Sequence, residues 1–162
     1  MNIKKLSILF CATACSFFGL AADSVKSTEV KVQLFRDYEG ALVEVKGAYN
    51  VFDPKNGTKL IASYLPSSYY MYPTTDGLKW GQEFPDVYQL LIAADKKETT
   101  IVVAGTEYRG KAYFYQIQGS IGAVNELPLD DFVMSTLSTH IPEEIVSQDA
   151  LEALAIALRT EV

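Results

Sequence analysis

Glu29-Val30-Lys31-Val32-Gln33-Leu34-Phe35 alternates, with Val30, Val32 and Leu34 on one side and Lys31 and Gln33 on the other. A period of two marks a strand with one face buried and one wet, because a helix would bring together residues three and four apart. Working outward from it, Ala41 to Lys46, Ala48 to Phe52, Lys59 to Leu65, Val87 to Ala94, Thr99 to Val103, Lys111 to Gln118 and Ser120 to Asn125 are further strand candidates. Within Asp53-Pro54-Lys55-Asn56-Gly57, Pro supplies a fixed φ and Asn-Gly tolerates positive φ, so Val51 to Ile61 is predicted to be a hairpin.

After Asn125 the pattern changes. Leu127-Pro128-Leu129-Asp130-Asp131-Phe132 opens a predicted helix, with proline and acids at the end where the backbone dipole is positive. A second helix is expected from Ser147, a side chain able to cap free N–H groups, through Asp149 to Thr160. Its Leu151, Leu154, Ala155 and Leu158 form one apolar stripe that needs a partner surface. The expected class is therefore α+β: a mainly antiparallel β N-terminal part followed by two C-terminal helices.

The chain has 162 residues, 49% of them hydrophobic, with 14 Lys+Arg against 20 Asp+Glu and a net charge of −6. This is the composition of one folded domain. Lys4 and Lys5 precede an almost wholly apolar run, Leu6 to Leu20, and small residues follow at Gly19-Leu20-Ala21-Ala22. The pattern is that of a signal peptide over residues 1–21, with the domain occupying 22–162 and an exported, periplasmic or envelope-associated location. The run is shorter than the ~20 residues that a membrane-spanning helix needs, so no transmembrane anchor is expected after cleavage. Both cysteines, Cys11 and Cys15, lie in the leader, and Ala12-Thr13-Ala14-Cys15 only faintly matches a lipidation site. An acidic body lacks the positive field that gathers phosphates, which disfavours nucleic acid as a partner.

With a single histidine, His140, and no cysteine past the leader, a zinc site of His or thiolate ligands cannot be assembled within the chain, and no metal or cofactor is expected. Neither a nucleophile elbow nor a phosphate-binding glycine motif occurs. The acid pairs Asp130/Asp131 and Glu143/Glu144 have the composition of a glycosidase pair, but helix starts stabilise acids in any case. The segment Tyr64 to Tyr88 concentrates Tyr64, Tyr69, Tyr70, Tyr72, Trp80, Phe84 and Tyr88 among Pro, Gly, Ser and Thr. Rings in a loop-rich stretch stack on sugar faces without needing charge, which makes Trp80, Tyr70 and Tyr72 candidate binding residues. The plainer reading has the same rings closing the end of the β-core.

Five pieces in order resemble one family. Val30 to Phe35, Val43-Glu44-Val45-Lys46-Gly47 and Tyr108-Arg109-Gly110 are similar to the N-terminal β-part of the stage II sporulation protein D and amidase-enhancer (LytB-type) family. Val124-Asn125-Glu126-Leu127-Pro128-Leu129-Asp130-Asp131-Phe132 resembles its Val-Asn-x-x-Pro-Leu-Glu-Asp-Tyr segment, and Ala150 to Thr160 its Ala-rich helix ending Arg-Thr. The resemblance implies peptidoglycan as the substrate. Its sporulation members are lytic transglycosylases of peptide-free glycan strands, and its enhancer members stimulate wall amidases. Glycan strands, a wall amidase or a second chain are thus the implied partners, with Tyr108, Arg109 and Arg159 as implied binding residues.

The departures decide the rest. The family's catalytic glutamate lies in a Pro-Ser-Glu-Met-Pro motif, and the matching stretch here is Ser138-Thr139-His140-Ile141-Pro142. His140 therefore stands at the catalytic position, and a neutral imidazole is a poor acid toward a glycosidic oxygen. Glu143 and Glu144 are the remaining carboxyls nearby. The family's domain also continues past Arg-Thr, so the expectation is an incomplete domain with impaired catalysis, the alternatives being an active transglycosylase or a remnant of a split gene.

Overall fold

A computed structural model describes residues 28–140 and 147–161; the predicted leader lies outside the described residues. The fold is α+β: antiparallel sheets followed by two helices. One sheet has the order β1 (Glu29–Tyr38), β12 (Ser120–Pro128), β11 (Lys111–Ile117), β8 (Gln89–Ala94), β3 (Tyr49–Asp53), β4 (Thr58–Ser63). The other has the order β10 (Thr106–Tyr108), β9 (Thr100–Val103), β2 (Ala41–Lys46), β5 (Ser67–Thr74), β6 (Gly77–Trp80), β7 (Gln82–Pro85). Alternate residues of both sheets meet in one continuous core, with Val43, Met71 and Leu78 of the second sheet against Val51, Leu90, Ile92 and Phe114 of the first.

The eight strands and the hairpin read from the alternation are all present, because half-buried strands carry the signal in every second side chain. The predicted turn closes as expected, with Gly57 N donating to Asp53 O at 2.8 Å and Thr58 N to Asn56 Oδ1 at 2.9 Å.

The ring-rich segment differs from its expectation. It forms three strands, β5 to β7, rather than a loop-rich stretch. Pro73 is tolerated in β5 because pairing with β2 ends at Met71↔Ala41, so beyond that point β5 has only β6 as a neighbour. β10 is likewise additional, a short edge strand whose three residues are too few to show a period.

β12 also runs further than expected, to Pro128, because Glu126, Leu127 and Pro128 pair with Lys31, Val30 and Glu29. The helix predicted to open at Leu127 therefore begins at Leu129, as α1 (Leu129–His140), with Asp130 and Asp131 in its first turn. The second helix, α2 (Gln148–Glu161), starts where predicted: Ser147 Oγ accepts from Ala150 N at 3.4 Å and Ser147 O accepts from Leu151 N at 3.1 Å. α2 packs on α1, half-burying Leu151, Ala155 and Leu158 while leaving Leu154 and Ile156 exposed.

Candidate functional site

A cavity of about 580 Å³ opens where edge strand β1 of one sheet and edge strand β10 of the other part company and α1 crosses the gap. Its floor is apolar: Val32 and Leu34 from β1, Leu127 from β12, and Tyr108 and Phe132. The residues that identify β1 as a strand thus line the groove with the side of the alternation that faces inward.

The β10 rim is built by a tightly constrained turn. Asn125 is 3% exposed, and its Nδ2 donates to Arg109 O at 2.8 Å and to Lys111 O at 3.0 Å, fixing the backbone on both sides of Gly110. Gly110 has φ +86°, and a Cβ there would lie 2.3 Å from Glu126 O. Only glycine fits both the conformation and the space. Tyr108-Arg109-Gly110 and Val124-Asn125 are therefore one structural unit, which holds Arg109 exposed at the rim.

Next to Arg109, Glu107 accepts a hydrogen bond from the Thr100 hydroxyl and one from Lys46 Nζ at 3.2 Å. These two partners, Thr100 first, hold its carboxyl below the usual carboxylate range. It is ionised at neutral pH and is a poor proton donor.

On the outer face of β12, Glu126 is nearly covered. Lys111 Nζ lies 2.7 Å from its Oε1 and Lys31 Nζ 3.2 Å from its Oε2, while Lys111 also bridges to Glu29 at 3.1 Å. Burial pushes this carboxyl up, but the hydrogen bonds from Lys111 and Lys31 outweigh it and bring it down to about 2. The cluster clamps β1, β12 and β11 together below the groove.

The opposite wall is α1. Asp131, Ser135, Thr136, Ser138 and Thr139 line the groove, and Met134, 69% exposed, overhangs it. His140 is the last residue of this helix, directly after Thr139. Its side chain and the residues Glu143 and Glu144 lie outside the described part. Asp130 pairs with Arg159 of α2, so the two neighbouring acids divide: one ties the helices together and the other faces the groove.

Of the predicted binding residues, the fold brings Tyr108 and Arg109 to this groove and places the others elsewhere. Tyr70 and Tyr72 stand on the outer face of the second sheet, ring centroids 6.3 Å apart, with Leu42 paired across from Tyr70 and Lys79 Nζ 5.8 Å from the Tyr72 ring centre. Arg159 is engaged by Asp130 and does not line the groove.

Trp80, expected as a sugar-binding ring, is buried instead. It is 2% exposed, its indole N–H donates to Val43 O at 3.0 Å, and Tyr49 and Tyr69 pack edge-on against it. β6 turns this ring inward, so it is a core residue with no face left for a sugar.

In the sequence, Asn125 and the hydroxyls of Ser138 and Thr139 stand out only as parts of family-like segments, and Ser135 and Thr136 not at all. The spacing Ser135, Ser138, Thr139 at i, i+3 and i+4 puts hydroxyls on one helix face and was the available signal.

No known protein family matches the chain, and no solved structure matches it. Two proteins of uncharacterized function are similar to it. One, from Chlamydia muridarum, is 30% identical over 172 aligned positions that cover 98% of this chain and 59% of the relative. The other, from Chlamydia pneumoniae, is 26% identical over 139 positions that cover 85% of this chain and 50% of the relative. The chain thus spans between half and three-fifths of the length of these relatives.

Proposed function

We propose that this is an exported cell-envelope domain of the stage II sporulation protein D and amidase-enhancer type, which binds peptidoglycan glycan strands in the groove between β1, β10 and α1 and organises them without cutting. One observation carries the reading: Val30 to Phe35, Tyr108-Arg109-Gly110 and Val124 to Phe132, separate in sequence, converge on that groove. An apolar floor with polar rims suits sugar rings, which present flat apolar faces and hydroxylated edges.

Ordinary transglycosylation needs a carboxyl kept protonated, and Glu107, at the groove rim, is held ionised and does not supply it. His140, in the position of the expected glutamate, offers an imidazole in place of a carboxyl that first donates and then accepts a proton.

The purified protein is expected to be retained on immobilised peptide-free glycan strands, to lose most of that retention with Arg109→Gln, and to release no 1,6-anhydro ends. Release of such ends that disappears with His140→Ala overturns the non-cutting reading. Equal retention of the parent and Arg109→Gln removes the groove as the binding site.

A further inference from the structure

The two sides of the groove differ in hydrogen-bond sense. On α1, Ser135 Oγ donates to Phe132 O at 2.9 Å, Thr136 Oγ1 to Phe132 O at 2.9 Å, Ser138 Oγ to Ser135 O at 3.0 Å and Thr139 Oγ1 to Ser135 O at 2.8 Å. A hydroxyl has one hydrogen, and each of these is committed to a carbonyl of its own helix, as hydroxyls within helices commonly are. What this wall presents to the groove is lone pairs, and Asp131 adds a carboxylate, which also only accepts.

The β10 rim adds the opposite sense through Arg109, whose side chain carries only donors, beside a Glu107 carboxylate of which each oxygen is engaged once, by Thr100 and by Lys46.

We infer that the groove reads a glycan by the hydrogens of its free hydroxyls. The α1 wall accepts from one hydroxyl edge of the chain while Arg109 donates to oxygen atoms on the opposite edge, so O-acylation of the edge facing α1 expels the ligand. This deepens the glycan-binding reading and rests on it. Acylation removes the donor and sets a carbonyl oxygen against the lone pairs of Ser138 and Thr139. A site arranged to bond a hydroxyl rejects the analogue that lacks it more strongly than an apolar pocket rejects a change of size.

Calorimetric titration with a peptide-free peptidoglycan hexamer of alternating N-acetylglucosamine and N-acetylmuramic acid and with its 6-O-acetylated counterpart tests this. The parent is expected to bind the free hexamer at least about tenfold more tightly than the acetylated one. In the Ser138→Ala/Thr139→Val double variant, both of whose changes are at exposed positions, affinity for the free hexamer falls and the discrimination shrinks to below about threefold. An unchanged melting temperature in that variant separates the effect from unfolding; if the pair is destabilised, Ser135→Ala gives the same comparison. Equal binding of the two hexamers by the parent overturns the inference and leaves the glycan reading standing, as does discrimination that survives in the variants. Failure of the parent to bind either hexamer overturns both.

Discussion

The sandwich and the helical pair are held by different means. In the sandwich, Val43, Val51, Leu90, Ile92, Ile101 and Phe114 are completely buried, and each sheet covers the other. In the helices, Val133 of α1 is the one fully buried apolar side chain among the described residues, and α2 leaves Leu154 and Ile156 to solvent. The sheets therefore carry the stability of the fold, and α1 acts as a wall fastened to them at a few points. A groove built between a rigid edge and a lightly attached helix changes shape at low cost, whereas one inside the sandwich would not.

The sharpest way to break this contrast is to cut both regions equally. Trp80→Ala removes a ring packed against Tyr49 and Tyr69 together with its hydrogen bond to Val43 O. It is expected to cost about 3–5 kcal/mol in denaturant unfolding. Ile156→Ala on α2 is expected to stay within about 0.5 kcal/mol, as substitutions at surface positions usually do. Comparable losses from the two would refute the division.

Gly110→Ala acts at the seam between the regions. With φ at +86° and a Cβ placed 2.3 Å from Glu126 O, the turn must shift, at an expected cost of about 2–3 kcal/mol. Because Arg109 O and Lys111 O are bonded by Asn125 on either side, the rim moves with it. Glycan affinity is thus expected to fall in the same variant even where the protein remains folded.

Acid titration probes the clamp below the groove. Glu126 is lowered from 4.5 to about 2 in the folded chain, so its contribution is full above pH 4.5 and is lost as the pH falls from there toward 2. One pKa unit corresponds to about 1.4 kcal/mol, and partial exposure of both lysines reduces the whole to roughly 2 kcal/mol. Urea unfolding at pH 6 and pH 3 is expected to show somewhat more than half of that, about 1 kcal/mol, lost in the parent. A substantially smaller difference is expected in Glu126→Gln, which has no proton to gain at that position.

How much of this was legible follows from where the signal resides. β1, β2 and the Asn56-Gly57 hairpin were readable because alternation and turn chemistry are local. β5 to β7 were not, because the Pro, Gly and Ser of that stretch punctuate a chain as turns do, and only pairing with β2 makes strands of it. Trp80 was misjudged for the same reason: whether a ring in such a segment faces in or out depends on a register that the sequence alone does not state. Tyr108 and Arg109 were picked out through the family resemblance, yet their constraint, an Asn125 amide reaching across to two carbonyls, joins residues 14 and 16 positions apart and has no periodic trace.

The smallest expected effect bears on how α2 is held. Asp130, in the first turn of α1, and Arg159, in the last turn of α2, each complement their own helix dipole as well as pairing with each other. Their side chains are 72% and 53% exposed, and an ion pair in that setting contributes little because water screens it. Asp130→Asn is therefore expected to cost no more than about 0.5 kcal/mol. Leu158→Ser, which puts a polar group into the half-buried α1–α2 seam, is expected to cost about 1 kcal/mol and to speed amide exchange along α2 while β11 and β12 stay protected. If Asp130→Asn is the more damaging of the two, the helices are joined by charge rather than by the stripe of Leu151, Ala155 and Leu158. High salt would then loosen the wall of the groove, which the apolar seam does not allow.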